Sequence, residues 1–190
     1  MKINLQSFSH PRPASLVAWL LTASLFTAEL AVLAANDLSP EASGFRIGYS
    51  ASSLKKEFVS TEIFAEWLFL TRQTSDGDWY CEGLIEFSLG AIHFEQQTAF
   101  EILLGPVLRV GRTGTPLFVE LGWSPTVLSK HTYQERNFGA DLQFTSHIGA
   151  GIRLNDRWQV EYRYAHISNG GFASPNPGLN FHSVGVRFTF

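Results

Sequence analysis

His166 and Ser168 stand two positions apart in the stretch Tyr164-Ala-His-Ile-Ser-Asn-Gly-Gly-Phe-Ala-Ser-Pro-Asn-Pro-Gly-Leu-Asn180. A serine hydroxyl is a poor nucleophile until a neighbouring base takes its proton, and an imidazole titrates in the right range to do so. A third group has to orient the ring, and Asn180 offers a side-chain carbonyl for its N–H. Asn169, Gly170 and Gly171 follow the serine directly. Glycines let backbone N–H groups turn toward a developing oxyanion, and the Asn169 side chain offers another donor. These residue types suit ester hydrolysis, with His166, Ser168 and Asn180 as the catalytic candidates. Asn169, Gly170 and Gly171 are the candidate oxyanion hole. His93, His131 and His147 lack ligand-like spacing and are assigned no metal role.

An isolated His-x-Ser carries little weight, so the element that holds it decides its meaning. Trp158, Val160, Tyr162 and Tyr164 share one parity, and Gln159, Glu161 and Arg163 the other. That is the period of a strand with one apolar and one polar face. The apolar parity continues to His166 and Ser168, which therefore project from the same face. The closing run behaves alike: Phe190, Phe188, Val186 and Val184 lead back to His182 and Asn180. Paired as a hairpin, the two strands gather His166, Ser168 and Asn180 at one end of an apolar surface.

Further alternating segments precede these two. They run from Gly44 to Ser50, Phe58 to Thr71, Trp79 to Ile92, Thr98 to Arg112, Leu117 to Val127 and Leu142 to Leu154. Turn chemistry divides them. Ser75-Asp-Gly-Asp78, Arg112-Thr-Gly-Thr-Pro116 and Asn155-Asp156 make short turns. Longer links run from His93 to Gln97, Ser129 to Asp141 and Asn169 to Leu179, and 51–57 is intermediate. Eight strands with this asymmetry predict an antiparallel transmembrane β-barrel, with short turns at one rim and longer loops at the other. The faces also fit. Glu62, Glu66, Glu82, Glu86, Glu101, Glu120 and Glu161 share the polar face with Arg109, Arg153, Arg163 and Arg187, a mixed-sign set that can pair inside a narrow lumen. Trp67, Phe69, Trp79, Trp123, Trp158, Tyr162, Phe188 and Phe190 lie on the apolar face as candidate interfacial girdles. A soluble lipocalin-type barrel has the same alternation with the faces exchanged.

The chain has 190 residues, 16% of them charged, and a net charge of −3, which gives no electrostatic footprint for nucleic acid. Its single cysteine, Cys81, excludes an internal disulfide. Lys2 and Arg12, the apolar run Ala14 to Phe26 and the small residues ending at Ala34 and Ala35 read as a signal peptide over residues 1–35, cleaved after either alanine. An uncleaved anchor over Ala14 to Ala35 is the competing reading, which Glu29 interrupts. Residues 36–190 are then the barrel domain.

The run His166-Ile-Ser-Asn-Gly-Gly-Phe172, then Pro175-Asn176-x-Gly178 and a short strand ending in Phe190, resembles the lipid A 3-O-deacylase (PagL) family of outer-membrane acyl hydrolases. The resemblance implies location in the bacterial outer membrane, and removal of the ester-linked 3-O acyl chain from lipid A of lipopolysaccharide without a cofactor. It makes Ser168 the nucleophile and His166 the base, with Asn169, Gly170 and Gly171 around the oxyanion. One position departs: the family's third catalytic residue is glutamate, where this chain has Asn180. A slower enzyme is expected, or one that recruits another partner such as His182. A non-catalytic surface barrel and a phospholipase acting through the same pair are the alternatives. Dimerisation through the lipid-facing wall is left open.

Overall fold

The computed structural model describes residues 39–50, 58–134 and 136–190. The expected signal peptide and the 51–57 link lie outside them. The strands are β1 (Ala42–Ser50), β2 (Val59–Gln73), β3 (Trp79–Phe94), β4 (Gln97–Arg112), β5 (Leu117–Leu128), β6 (Thr132–Tyr133), β7 (Arg136–Asn137), β8 (Leu142–Arg153), β9 (Trp158–Ser168) and β10 (Leu179–Thr189). Eight of them close into a barrel in the order β1-β10-β9-β8-β5-β4-β3-β2, every neighbouring pair antiparallel. β10 closes the ring on β1, from Ala42 opposite Thr189 to Ser50 opposite Phe181. The short pair β6–β7 forms its own hairpin inside the link between β5 and β8.

The faces are those of a membrane barrel. Large apolar side chains point outward and stay exposed, among them Phe100, Leu117 and Ile148 at 67, 61 and 64%. Arginines and glutamates point inward and are buried. This inverts the arrangement of a water-soluble barrel, where the apolar face fills the interior. Trp79, Trp158 and Phe190 stand outward near the rim of short turns, and Phe188 packs between the last two. Tyr162, expected among the girdle residues, lies in the middle of β9 instead.

Two expectations about the elements are corrected. The link from His93 to Gln97 is not a longer loop: β3 and β4 continue to Phe94 and from Gln97, joined by two residues. Glu95 takes the left-handed conformation there, with φ 54°. The strands extend because Phe94 has an interior partner, stacking on Phe58 with ring centroids 4.3 Å apart. In β2 the register shifts between Leu68 and Leu70, so simple alternation fails beyond Trp67. Such a bulge moves the following side chains to the other face.

The interior has two layers. A belt of ion pairs crosses its middle. Arg46, which sequence reading left out of the polar set, is its hub: it meets Glu62 at 2.8 Å, Glu161 at 2.7 Å and Glu86 at 3.2 Å. Arg163 binds Glu86 and Glu120, Arg109 binds Glu66 and Glu120, and Arg187 binds Glu66. Removing one member of such a buried set strands its partner, which costs roughly 3–5 kcal/mol. Glu101 is the exception to the expected pairing: it is buried, and among the described residues its Oε1 has no hydrogen-bond partner. Above the belt, toward the longer loops, lies an apolar plug of Phe58, Ile92, Phe94, Tyr133, Phe138, Ile167, Leu179 and Phe181. A cavity of about 20 Å³ remains at the level of the belt, room for a single water.

Candidate active site

β9 and β10 pair so that Asn180 lies directly opposite His166, and Leu179 opposite Ile167. Ile167, Leu179 and Phe181 point inward and belong to the apolar plug. Alternation then forces His166, Ser168 and Asn180 onto the outer wall. His166 is exposed, and Ser168 and Asn180 are partly so. The plug therefore fixes, from inside, the strand ends whose outer face carries the polar residues.

Asn180 Oδ1 lies 2.6 Å from His166 Nδ1 and accepts its N–H. That hydrogen bond fixes the ring and leaves Nε2 as its basic nitrogen. Gly178, with φ +63°, covers the other edge of the imidazole. A Cβ built on it would lie 2.8 Å from Cε1 and 3.5 Å from Nε2 of His166. The Nε2 edge thus faces the loop end of the barrel, the direction in which β9 continues to Ser168. Ser168 Oγ and His166 Nε2 lie on the same face and share no hydrogen bond. Asn180, not His182, is the side chain against His166 Nδ1, and His182 Nδ1 meets the Tyr162 hydroxyl.

The segment after Ser168 is held by one side chain. Asn169 is fully buried, and its amide hydrogens are shared among the carbonyls of Phe138 at 2.9 Å and of Ala173 and Pro175 at 3.0 Å. Its Oδ1 accepts the Gly171 N–H at 2.9 Å, and its own N–H goes to Asn176 Oδ1 at 3.1 Å. The expectation that the Asn169 side chain offers a free donor to an oxyanion is therefore corrected: every donor it has is engaged in folding the loop. Gly170 and Gly171 take φ of 64° and 82°, which glycine adopts without strain. Of their two amides, Gly171 N–H is engaged by Asn169, and Gly170 N–H has no protein acceptor among the described residues.

Sequence reading gave no role to Gly178, Asn176 or Arg136. Arg136, in the hairpin over the plug, donates from Nη2 to the Gly178 carbonyl at 3.2 Å, with its guanidinium 5.7 Å from the Phe138 ring centroid. It anchors the backbone that covers the imidazole. Nothing in the local pattern marks Arg136, which reaches Gly178 across 42 positions. The Pro-Asn-Pro-Gly run signals a turn but not its contacts.

Beside Ser168 the outer wall is aromatic. Phe144 lies opposite Ser168 in the β8–β9 pair, stacks on Trp123 at 5.5 Å and meets Phe172 at 5.7 Å. The site is thus a short row of polar groups set into an apolar wall.

The sequence model described as Lipid A 3-O-deacylase (PagL) matches residues 59–189, more than half of the chain. The chain belongs to that family. The lipid A deacylase PagL of Bordetella bronchiseptica is 35% identical to it over 78 residues, 41% of this chain and 44% of that relative. The lipid A deacylase PagL of Pseudomonas aeruginosa is 33% identical over 67 residues, 35% of this chain and 39% of that one. The matched stretches thus span less than half the length of these curated relatives. A crystal structure of the outer membrane enzyme PagL shares the fold, with a TM-score of 0.68 at 20% identity over 78% of this chain and 99% of that one. This PagL-family barrel therefore keeps the family architecture, with Asn180 as the hydrogen-bond partner of His166.

Proposed function

We propose that this PagL-family barrel is an outer-membrane esterase that removes the ester-linked 3-O acyl chain of lipid A, working on lipid in place at the outer leaflet. The observation that carries the reading is the outward-facing His166–Asn180 hydrogen bond, with Ser168 on the same face at the end of β9. A base and nucleophile on the lipid-facing wall meet an ester at the membrane surface without extracting its chains. The apolar Trp123–Phe144–Phe172 ridge beside Ser168 suits the acyl chain.

In this mechanism His166 Nε2 takes the Ser168 proton as Oγ attacks the ester carbonyl carbon. The tetrahedral oxyanion is met by backbone N–H groups after Ser168, Gly170 N–H being the one without a protein acceptor. Collapse breaks the bond to the sugar 3-oxygen, which leaves with the proton returned by His166. Water, activated by the same imidazole, then releases the fatty acid from Ser168. Asn180 holds the Nδ1–H throughout.

The test is a mass spectrum of lipid A from an outer-membrane-competent host expressing the chain, beside its Ser168→Ala variant. Loss of one hydroxyacyl chain in the parent only is the expected result. An unchanged spectrum from a folded, membrane-inserted parent would sink the reading and favour a non-catalytic barrel or another lipid substrate.

A further inference from the structure

The mechanism above leaves the other end of the lumen unused. A cavity of about 570 Å³ opens at the rim of short turns, a volume in the range of small-molecule sites. In outer-membrane barrels that rim faces the periplasm. The ion-pair belt closes the inner end of the cavity, where Arg109 and Glu66 meet fully buried, and the apolar plug lies beyond it. The space is therefore a blind vestibule and not a pore.

One wall of the vestibule is a cross-strand row. Gln159 of β9 lies opposite Arg153 of β8 on one side and opposite Arg187 of β10 on the other, and all three line the cavity. Adjacent strands are about 4.8 Å apart, so the amide stands between the two arginines. Gln159 is only 5% exposed, yet its Oε1 has no hydrogen-bond partner among the described residues. A buried carbonyl left unmet is costly, which makes this one a candidate contact for a ligand. The arginines hold donors in reserve. Arg153 lies over the Tyr80 ring at 4.6 Å and gives Nη2 to Glu82 at a long 3.4 Å. Arg187 uses Nε on Glu66 and Nη1 on Thr189 Oγ1. A guanidinium carries more donors than these contacts use. Glu41 and Glu82 line the same cavity, with Leu68 and Leu84 as its apolar part.

We infer that this vestibule binds the zwitterionic end of a periplasmic ligand, an ammonium and a carboxylate on one carbon. Arg153 and Arg187 take the carboxylate, as guanidinium forks do, and Gln159 Oε1 takes the ammonium with Glu82 beside it. A plain anion would leave the Gln159 carbonyl unmet and face two glutamates, and a plain cation would face two arginines. Two sources on that side of the membrane present such an end. One is a free amino acid. The other is the peptide of the cell wall, where the distal carbon of a cross-linking diamino acid carries both groups and its methylene chain suits Leu68 and Leu84. The vestibule and Ser168 lie at opposite rims, so binding there is independent of the esterase reading.

The purified protein in detergent micelles is titrated by calorimetry with three soluble compounds. They are an alanyl-glutamyl-diaminopimelate tripeptide, its lysine analogue, which lacks the distal carboxylate, and free diaminopimelate. Saturable binding of the diaminopimelate tripeptide is expected, at least about tenfold tighter than that of the lysine analogue. Gln159→Leu removes the unmet carbonyl and keeps the space filled, and Arg153→Lys keeps the charge beside Glu82 but loses the fork. Each should weaken binding about tenfold, with thermal unfolding and the folded band on an unheated gel unchanged. A tripeptide bound about tenfold tighter than free diaminopimelate identifies the cell-wall peptide. Equal or tighter binding of the free compound identifies the amino acid, and both results keep the site. Absence of saturable binding, equal affinity for the lysine analogue, or full affinity in either folded variant would overturn the inference.

Discussion

Asn180 meets His166 through a neutral amide oxygen at 2.6 Å, at the position where the resemblance drawn from the sequence implies a glutamate. The amide fixes the tautomer but, in the proposed mechanism, cannot neutralise the imidazolium that would form as Ser168 loses its proton. In the serine-protease template the exchange of carboxylate for amide lowers the rate by about 10⁴. Asn180→Glu should therefore raise kcat at least about tenfold with little change in KM, measured on lipid A in micelles; no gain in a folded variant would remove Asn180 from the mechanism. Gly178 acts at the same scale. Its φ of +63° and the 2.8 Å approach of a Cβ to His166 Cε1 leave no room for a side chain. Gly178→Ala should lower kcat by about 10²-fold, the effect of a displacement near 1 Å at a catalytic group. Thermal unfolding should show a loss of only about 1 kcal/mol, the strain of left-handed alanine. Equal loss of activity and fold would contradict this division.

The loop between β9 and β10 is organised by Asn169 rather than by a core of its own. One buried amide meets three carbonyls and one N–H, drawing Phe138, Gly171, Ala173 and Pro175 together. Asn169→Ala leaves those groups buried without partners, at roughly 1–3 kcal/mol for each that water cannot reach. Limited proteolysis should then cut at 170–178 while the barrel strands stay intact, with activity lost in parallel. A loop that resists cleavage in this variant would return Asn169 to a direct chemical role. The Pro-Asn-Pro-Gly run showed that a turn would form here. The number of acceptors on one asparagine was not legible, because Phe138 comes from a different link and meets Asn169 only after β8 and β9 pair.

The whole barrel is stabilised by an inversion. Its interior joins an ion-pair belt to an apolar plug, and its outer wall offers hydrocarbon-like side chains to lipid. Ile148, 64% exposed in the middle of β8, tests this directly. Ile148→Arg should destabilise the folded barrel in liposomes by about 2–4 kcal/mol, read by reversible denaturant unfolding, as for cations at the bilayer midplane. A neutral outcome would fit a soluble barrel, whose outer face tolerates charge.

Strand number, alternation and the common face of His166, Ser168 and Asn180 were determined by the sequence alone, because a side-chain period of two is a local property of extended chain. The same local rule could not say which face meets lipid, since a soluble barrel obeys it equally. Only closure decided that, by burying Arg46 among three glutamates drawn from β2, β3 and β9. Closure also decided what no short stretch contains: the paired side chains of His166 and Asn180, fourteen positions apart, and the reach of Arg136 to Gly178. Those contacts join residues distant in the chain, and their partners exist only once β10 has zipped between β9 and β1.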